Sequence, residues 1–286
     1  MSILNRKNIL LGISGGIAAY KSAFLVRLLI KNKANVQVIM SPSSKDFVTP
    51  LTLSTLSKRP VLSEFFNKDN QNKLWNNHVD LALWADYIII APATANTLSK
   101  MASARADNLL IATYLSAKCP VFFAPAMDLD MHKNKANKLN IKKLIDFGNI
   151  HIPVNSGFLA SGLEGEGRMQ EPNQIIEFVS SNILKDKKLY GKKILITAGP
   201  TYEKIDPVRF IGNFSTGKMG FALANTAANL GAEVFLVTGP TSLTINSDRI
   251  KSFHVTSADE MFKTTKELFN DIDIAILSAA VSDYKP

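Results

Sequence analysis

The sequence predicts an α/β protein built from two consecutive parallel-sheet units, the second of them incomplete. Three observations carry this expectation. Apolar strand-length runs alternate with helix-length amphipathic segments along most of the 286 residues. Two of the strands run into glycine-bearing loops that open helices, around residues 9–21 and 194–220. A last apolar run at 274–277 is followed by only Ser278-Ala279-Ala280-Val281-Ser282-Asp283-Tyr284-Lys285-Pro286, so the second unit reads as unfinished. Strands that alternate with helices specify a parallel sheet covered on both faces.

In order, the pattern predicts strand 9–14, helix 16–31, strand 36–40, helices within 49–62, strand 87–90, helix 97–104, strand 121–123 and a helix near 131–147. Residues 150–171 then break the alternation. They are rich in glycine, with Glu164, Glu166 and Arg168 interleaved, and read as either a lid or a plain loop. Helix 172–184 and the polar Lys185-Asp186-Lys187-Lys188 precede a new strand at 192–197. This places a boundary that divides the chain into domains 1–188 and 189–286. The second alternation runs through helix 218–230, strand 233–237, helix 258–270 and strand 274–277.

Composition bounds the function classes. With 46% hydrophobic and 20% charged residues the chain has an ordinary globular balance. The net charge of +9 is spread over scattered lysines without a basic stripe, which argues against nucleic acid as a partner. The one cysteine, Cys119, is expected inside the strand that includes Val121 and Phe122, as a small buried hydrophobe; a disulfide within the chain is excluded. Neither a signal peptide nor a membrane-spanning run is visible, so the expected setting is the cytoplasm, with no membrane contact.

The first glycine junction, Gly12-Ile13-Ser14-Gly15-Gly16-Ile17, is mis-spaced for a dinucleotide fingerprint. The second strand ends in Met40-Ser41-Pro42, with no carboxylate to hold a ribose. A mononucleotide phosphate therefore fits better, with Gly15, Gly16 and Ile17 offering backbone N–H groups and Ser41 a hydroxyl. The bland alternative is that the glycine pair only turns a helix tightly off a strand. Ala91-Pro92-Ala93-Thr94-Ala95-Asn96 follows another strand end and offers small residues, a hydroxyl and an amide, although Pro92 and Asn96 suit a turn and a cap equally well. His78 opens a short amphipathic helix before that strand. A lone histidine is usually structural, but one beside a ligand crevice suits a general base.

Together, Ser14-Gly15-Gly16-Ile17-Ala18-Ala19-Tyr20-Lys21, His78, Ala91-Pro92-Ala93-Thr94-Ala95-Asn96, Asp107-Asn108-Leu109-Leu110 and Pro125-Ala126-Met127 closely resemble the flavin-dependent cysteine decarboxylases, over residues 1 to 185. The resemblance implies a flavodoxin/Rossmann-like first domain. It implies FMN with its phosphate at Gly15, Gly16, Ile17 and Ser41 and its ring near Thr94 and Asn96. It also implies substrate at Met127, Asp128 and Arg168, His78 as the base, and a homo-oligomer built on trimers with the site between subunits. Two positions depart from the family pattern: Asp128 stands where Asn is usual, and Ser161 stands where a cysteine acid is common. Ser161, Glu164, Glu166 or water is then the source of the last proton.

The second junction, Gly212-Asn213-Phe214-Ser215-Thr216-Gly217-Lys218-Met219, nearly spells a P-loop, but Met219 replaces the magnesium-binding hydroxyl residue. With Thr197-Ala198-Gly199-Pro200-Thr201, Asp206-Pro207-Val208-Arg209 and Ala279-Ala280-Val281-Ser282-Asp283-Tyr284 it resembles the phosphopantothenate–cysteine ligases. That implies CTP and magnesium (Mg2+), Arg209 and Asn213 on the acyl intermediate, Gly217 and Lys218 on nucleotide phosphates, and Ala279 and Asp283 toward the cytidine. It designates no residue as a metal ligand. Read alone, Arg209 is an ordinary ion-pair partner of Asp206. The two halves in this order imply coenzyme A biosynthesis from small-molecule substrates: phosphopantothenate, cysteine, CTP and phosphopantothenoylcysteine. A flavin-binding regulatory subunit that has lost its chemistry, or a peptidyl-cysteine decarboxylase, are the alternatives.

Overall fold

The computed structural model describes residues 2–66, 75–158, 161–245 and 247–286. The chain divides into two compact units, one of Leu4–Ser180 and one of Met1–Ile3 with Ser181–Pro286.

The first unit is a five-stranded sheet of β1 (Asn8–Ile13), β2 (Asn35–Met40), β3 (Tyr87–Ala93), β4 (Val121–Pro125) and β5 (Ile150–His151), in the order β2-β1-β3-β4-β5. Every pairing is parallel. The inner strands are buried almost throughout, as a sheet covered on both faces requires. The covering helices are α1 (Lys21–Lys31), α2 (Pro50–Ser57), α3 (His78–Trp84), α4 (Ala95–Ala102), α5 (Leu109–Leu115), α6 (Leu129–Lys133) and α7 (Lys135–Asp146). Their starts are set by side chains that accept an orphan N–H: Thr49 from Thr52, Asn77 from Val79, Asn108 from Ile111 and Asn134 from Ala136. Leu10, Ile88, Ile90, Leu98, Leu110 and Phe123 form the centre of one core. The strand order reverses between β1 and β3, which opens a crevice at their carboxyl ends, the place where such sheets bind ligands.

Several expectations need correction. The helix expected to begin at Gly16 starts with a 3-10 turn, Ile17–Tyr20, before α1. The single helix expected at 131–147 is two, because Asn134 ends α6 and its side chain caps α7. Residues 150–171 are neither plain loop nor structureless lid. They add β5 to the sheet and then form an antiparallel hairpin of β6 (Asn155–Phe158) and β7 (Glu164–Arg168), within which residues 159 and 160 lie outside the described residues. Cys119 precedes β4 instead of lying in it and is half-buried at the edge of the core; burial pushes its thiol pKa up. Helix α8 (Pro172–Lys185) carries the chain into the second unit.

The second unit has β8 (Lys193–Ala198), a hairpin of β9 (Tyr202–Lys204) and β10 (Phe210–Gly212), then β11 (Glu233–Thr238), β12 (Ile250–His254) and β13 (Ile274–Leu277). Its parallel sheet has the order β12-β11-β8-β13. This is the arrangement of the opening half of a Rossmann-type sheet. Helices α9 (Lys218–Asn229) and α10 (Ala258–Phe269) cover it. Ser257 and Glu260 form a reciprocal capping box at the start of α10. Strand β12 and the β9–β10 hairpin were absent from the expected pattern.

Candidate functional site

The crevice between β1 and β3 is held by Ser14. Its Oγ donates to the Pro92 carbonyl at 2.7 Å and accepts the Thr94 N–H at 2.9 Å, which ties the loop after β1 to the loop after β3. Gly15 then passes close to the loop after β2. A Cβ on Gly15 would lie 2.8 Å from Ser43 Cβ and 2.9 Å from the Ser43 carbonyl carbon, so only glycine fits. A Cβ on Gly16 would stand 3.0 Å from Thr94 Cγ2. The cavity so formed, about 190 Å³, is lined by Gly15, Ser41, Ser43, Thr94, Asn96 and Asn108, together with Lys100. Lys100 already pairs with Asp107 at 2.8 Å, and that hydrogen bond holds the Asp107 carboxyl below the usual carboxylate range. Four hydroxyls (Ser41, Ser43, Thr94 and Thr97), two amides and a helix start make a donor set suited to phosphate, beside the Asp107 carboxylate that Lys100 pairs.

A larger cavity of about 520 Å³ adjoins it, with Thr94 lining both. Gly16, Ile17, Tyr20 and Phe158 supply much of its apolar wall, and Met127, Asp128, Ser161 and Arg168 bring in the polar groups. The root of the hairpin is pinned here. Met127 N–H donates to the Gly167 carbonyl at 3.0 Å, and Gly167 passes so close to the Met127 carbonyl that a side chain could not be accommodated. Lys21, only 3% exposed, donates from Nζ to the Met169 carbonyl at 2.9 Å and to Glu171 Oε1 at 2.8 Å. Arg168 Nη2 donates to the same Glu171 oxygen at 2.9 Å. The Lys21 hydrogen bond, aided by Arg168, holds the Glu171 carboxyl below its ordinary value of 4.5.

Asp128 is turned onto its own helix and onto the hairpin. Its Oδ1 accepts the Leu129 N–H at 2.7 Å, capping α6, and accepts the Ser161 hydroxyl at 3.0 Å.

The structure thus brings Gly15, Ser41, Thr94 and Asn96 to the polar cavity and Gly16, Ile17, Met127, Asp128, Ser161 and Arg168 to the apolar one. His78 lines neither of these two cavities, and its ring meets Phe65 and Trp75 edge-on, with centroids 6.2 and 6.0 Å away. Among the described residues its buried Nδ1 has no hydrogen-bond partner. Ser14, Ser43, Asn108, Lys21 and Glu171 were not assigned from sequence. Lys21 carried a signal: with Leu25 and Leu29 it occupies the buried stripe of α1, where a lysine is unusual.

In the second unit Gly217 caps α9 in the left-handed region at φ 76°, and Asn213 Nδ2 donates to the Val281 carbonyl at 2.8 Å. Ala279 N–H donates to Thr197 Oγ1 at 3.2 Å, and Ser282 N–H to Thr201 Oγ1 at 2.8 Å. Asn213, Gly217 and Ala279 are thereby gathered at the carboxyl ends of β8 and β13. Arg209 pairs with Asp206 at 2.7 Å, and Lys218 and Asp283 are exposed. Backbone N–H groups, that of Arg209 first, hold the Asp206 carboxyl below its usual range. Among the described residues no cluster of three metal-ligating side chains occurs, and no helix is long and apolar enough to cross a membrane.

Comparison with known proteins matches residues 2–184 to the flavoprotein family and residues 189–286 to the DNA/pantothenate metabolism flavoprotein C-terminal domain. A cysteine/cysteine sulfinic acid decarboxylase from an unknown prokaryotic organism is 54% identical over 84% of this chain and 67% of its own length. The coenzyme A biosynthesis bifunctional protein CoaBC of Bacillus subtilis (strain 168) is 44% identical over 99% of this chain and 70% of its own. Among solved structures, a cysteine-to-serine mutant of PPC decarboxylase complexed with pantothenoylaminoethenethiol aligns with TM-score 0.57 and 31% identity, covering 63% of this chain and 99% of that one. The FMN binding protein AtHal3 aligns with TM-score 0.55 and 31% identity, covering 62% and 97%.

Proposed function

The chain belongs to the flavoprotein family of the coenzyme A biosynthesis bifunctional proteins, and from that premise we propose that its first unit is an FMN-dependent decarboxylase converting phosphopantothenoylcysteine to phosphopantetheine. One observation carries the reading: a phosphate-sized polar cavity opens beside an apolar cavity of about 520 Å³ at the β1/β3 crossing, matching a ligand with a charged tail and a flat apolar head. Gly15, Gly16, Ile17 and Ser41 would hold the FMN phosphate, with Thr94 and Asn96 toward the ring. The close passage of Gly15 by Ser43 supports that fit, because a side chain there would fill the cradle. FMN held there would supply a reversible two-electron acceptor for the thiol-bearing carbon of the substrate.

The remaining roles fall to the chain itself. Arg168 and Met127 bind and orient the cysteine end of the substrate, and the β6–β7 hairpin excludes water over it. His78 removes the thiol proton; since it lines neither cavity of its own chain, it acts at the cavity of a neighbouring copy in a trimer-based homo-oligomer. Ser161, which lines the larger cavity, would stand near the substrate carbon that gains a proton after carbon dioxide departs. In the second unit Arg209 and Asn213 bind phosphopantothenate and its acyl form, Gly217 and Lys218 the phosphates of CTP with Mg2+, and Ala279 and Asp283 the cytidine. This is the amino-terminal part of a ligase that joins phosphopantothenate to cysteine. The reading places the protein in the cytoplasm, with no nucleic-acid or membrane partner.

A second reading rests on the 54% identical relative and makes free cysteine or cysteine sulfinate the substrate. Carbon dioxide release from the FMN-loaded chain separates the two: kcat/KM should favour phosphopantothenoylcysteine by at least about tenfold, which needs only ~1.4 kcal/mol of extra binding. The opposite preference transfers the assignment to the smaller substrates.

A further inference from the structure

We propose that Glu171 is a positioning residue, which holds the Arg168 guanidinium at the larger cavity so that Arg168 receives the carboxylate of the substrate. The idea rests on the decarboxylase reading above and deepens it by naming what recognises the group that leaves as carbon dioxide. Among the described residues lining that cavity, Lys21 and Arg168 are the cations and Asp128 is the acid. Asp128 Oδ1 accepts from the Leu129 N–H and the Ser161 hydroxyl, and a carboxylate is no receptor for another carboxylate. Lys21 has little left to give, since it is buried and two of its three donors go to the Met169 carbonyl and Glu171. Arg168 carries five N–H donors, of which one on Nη2 goes to Glu171. The others include the planar fork that grips a carboxylate through two parallel bonds.

Glu171 does not itself line the cavity and acts through Arg168. Its backbone is fixed outside the hairpin, because its carbonyl accepts the Ile175 N–H in the first turn of α8 and Pro172 follows it. From that point a single oxygen, Oε1, accepts from Lys21 Nζ at 2.8 Å and from Arg168 Nη2 at 2.9 Å. The other side of the guanidinium meets the hairpin: Arg168 Nη1 lies 3.5 Å from where a Cβ on Gly157 of β6 would stand. Two cations thus share one carboxylate. A Glu171–Arg168 pair alone would be neutral and a poor receptor for an anion. With Lys21 cancelling the charge of Glu171, the charge of Arg168 is left for the substrate while its orientation stays fixed.

The test compares phosphopantothenoylcysteine with phosphopantetheine, the same molecule without its carboxylate, on the FMN-loaded full chain. Carbon dioxide release gives kcat/KM for the first, competitive inhibition gives the inhibition constant of the second, and absorbance reports bound FMN. Glu171→Gln should keep FMN and lower kcat/KM about fivefold, the upper end for a half-exposed ion pair, with the inhibition constant of phosphopantetheine unchanged. Arg168→Gln should lower kcat/KM by about 10- to 100-fold, again with that constant unchanged, as expected for lost hydrogen bonds to a charged group. Adding Glu171→Gln to Arg168→Gln should cost nothing further. A merely structural role for Glu171 would weaken both ligands together and would add to the Arg168 loss. A wild-type kcat/KM in Glu171→Gln, an equal loss for phosphopantetheine, a further loss in the double variant, or loss of FMN from Glu171→Gln overturns the proposal and leaves decarboxylation by the wild-type chain standing. Absence of carbon dioxide release from the wild-type chain overturns the decarboxylase reading itself, and this proposal with it.

Discussion

Replacing Gly15 by alanine tests the phosphate cradle at its narrowest point. The added methyl would meet Ser43 Cβ at 2.8 Å and the Ser43 carbonyl carbon at 2.9 Å, both inside the 3.0 Å that real Cβ contacts essentially never cross. One contact is backbone, so side-chain rotation alone cannot relieve it, and the loop after β2 that carries Ser41 must move. Overpacking of this kind costs about 1–3 kcal/mol. At ~1.4 kcal/mol per factor of ten, FMN affinity should fall by about 5- to 150-fold if the loop must return to its place when the phosphate binds. Quenching of FMN fluorescence on titration with apoprotein measures this directly. Ser43→Gly added to Gly15→Ala removes the side-chain contacts but not the backbone one, so part of the affinity should return. Affinity within twofold of wild type in Gly15→Ala would refute the assignment of this loop to the phosphate.

Three further outcomes follow from the geometry. Ser14→Ala leaves the Pro92 carbonyl and Thr94 N–H without their partner and should lower the urea stability of the first unit by about 1–3 kcal/mol. Glu171 has its pKa depressed by Lys21, so its pairing stabilises the fold above the ordinary carboxylate range and is lost as pH falls through the depressed value. The stability gap between wild type and Glu171→Gln should therefore be full above about pH 5 and shrink below it, as read by urea unfolding across pH. Gly217→Ala forces a left-handed residue to carry a side chain 3.3 Å from the Gly199 nitrogen and should destabilise the second unit by about 1–2 kcal/mol, with FMN affinity unchanged.

What could be read from sequence follows from how local its cause is. β1 and the turn at Gly15-Gly16 were visible because an apolar run ending in paired glycines has few other structural meanings. The short amphipathic helix opened by His78 was equally plain. The β6–β7 hairpin was not, since Glu164-Gly165-Glu166-Gly167-Arg168 has no apolar alternation and folds against Met127 and Leu129 through glycine contacts. β12, Ile250-Lys251-Ser252-Phe253-His254, is an edge strand with an interrupted apolar face and was hidden for the same reason. The site residues that escaped notice act over long sequence separations. Ser14 reaches a carbonyl 78 positions away, and Lys21 one 148 positions away. Asp128 stood out in the sequence only as a departure from the usual Asn; its contact with Ser161 depends on where the hairpin lies.

The central claim is tested most directly by loading the FMN-free chain with FMN, mixing it with phosphopantothenoylcysteine and measuring carbon dioxide and phosphopantetheine together. The account requires one carbon dioxide per phosphopantetheine, with both disappearing when FMN is withheld. Failure to take up FMN, or carbon dioxide release that continues without it, would contradict the account.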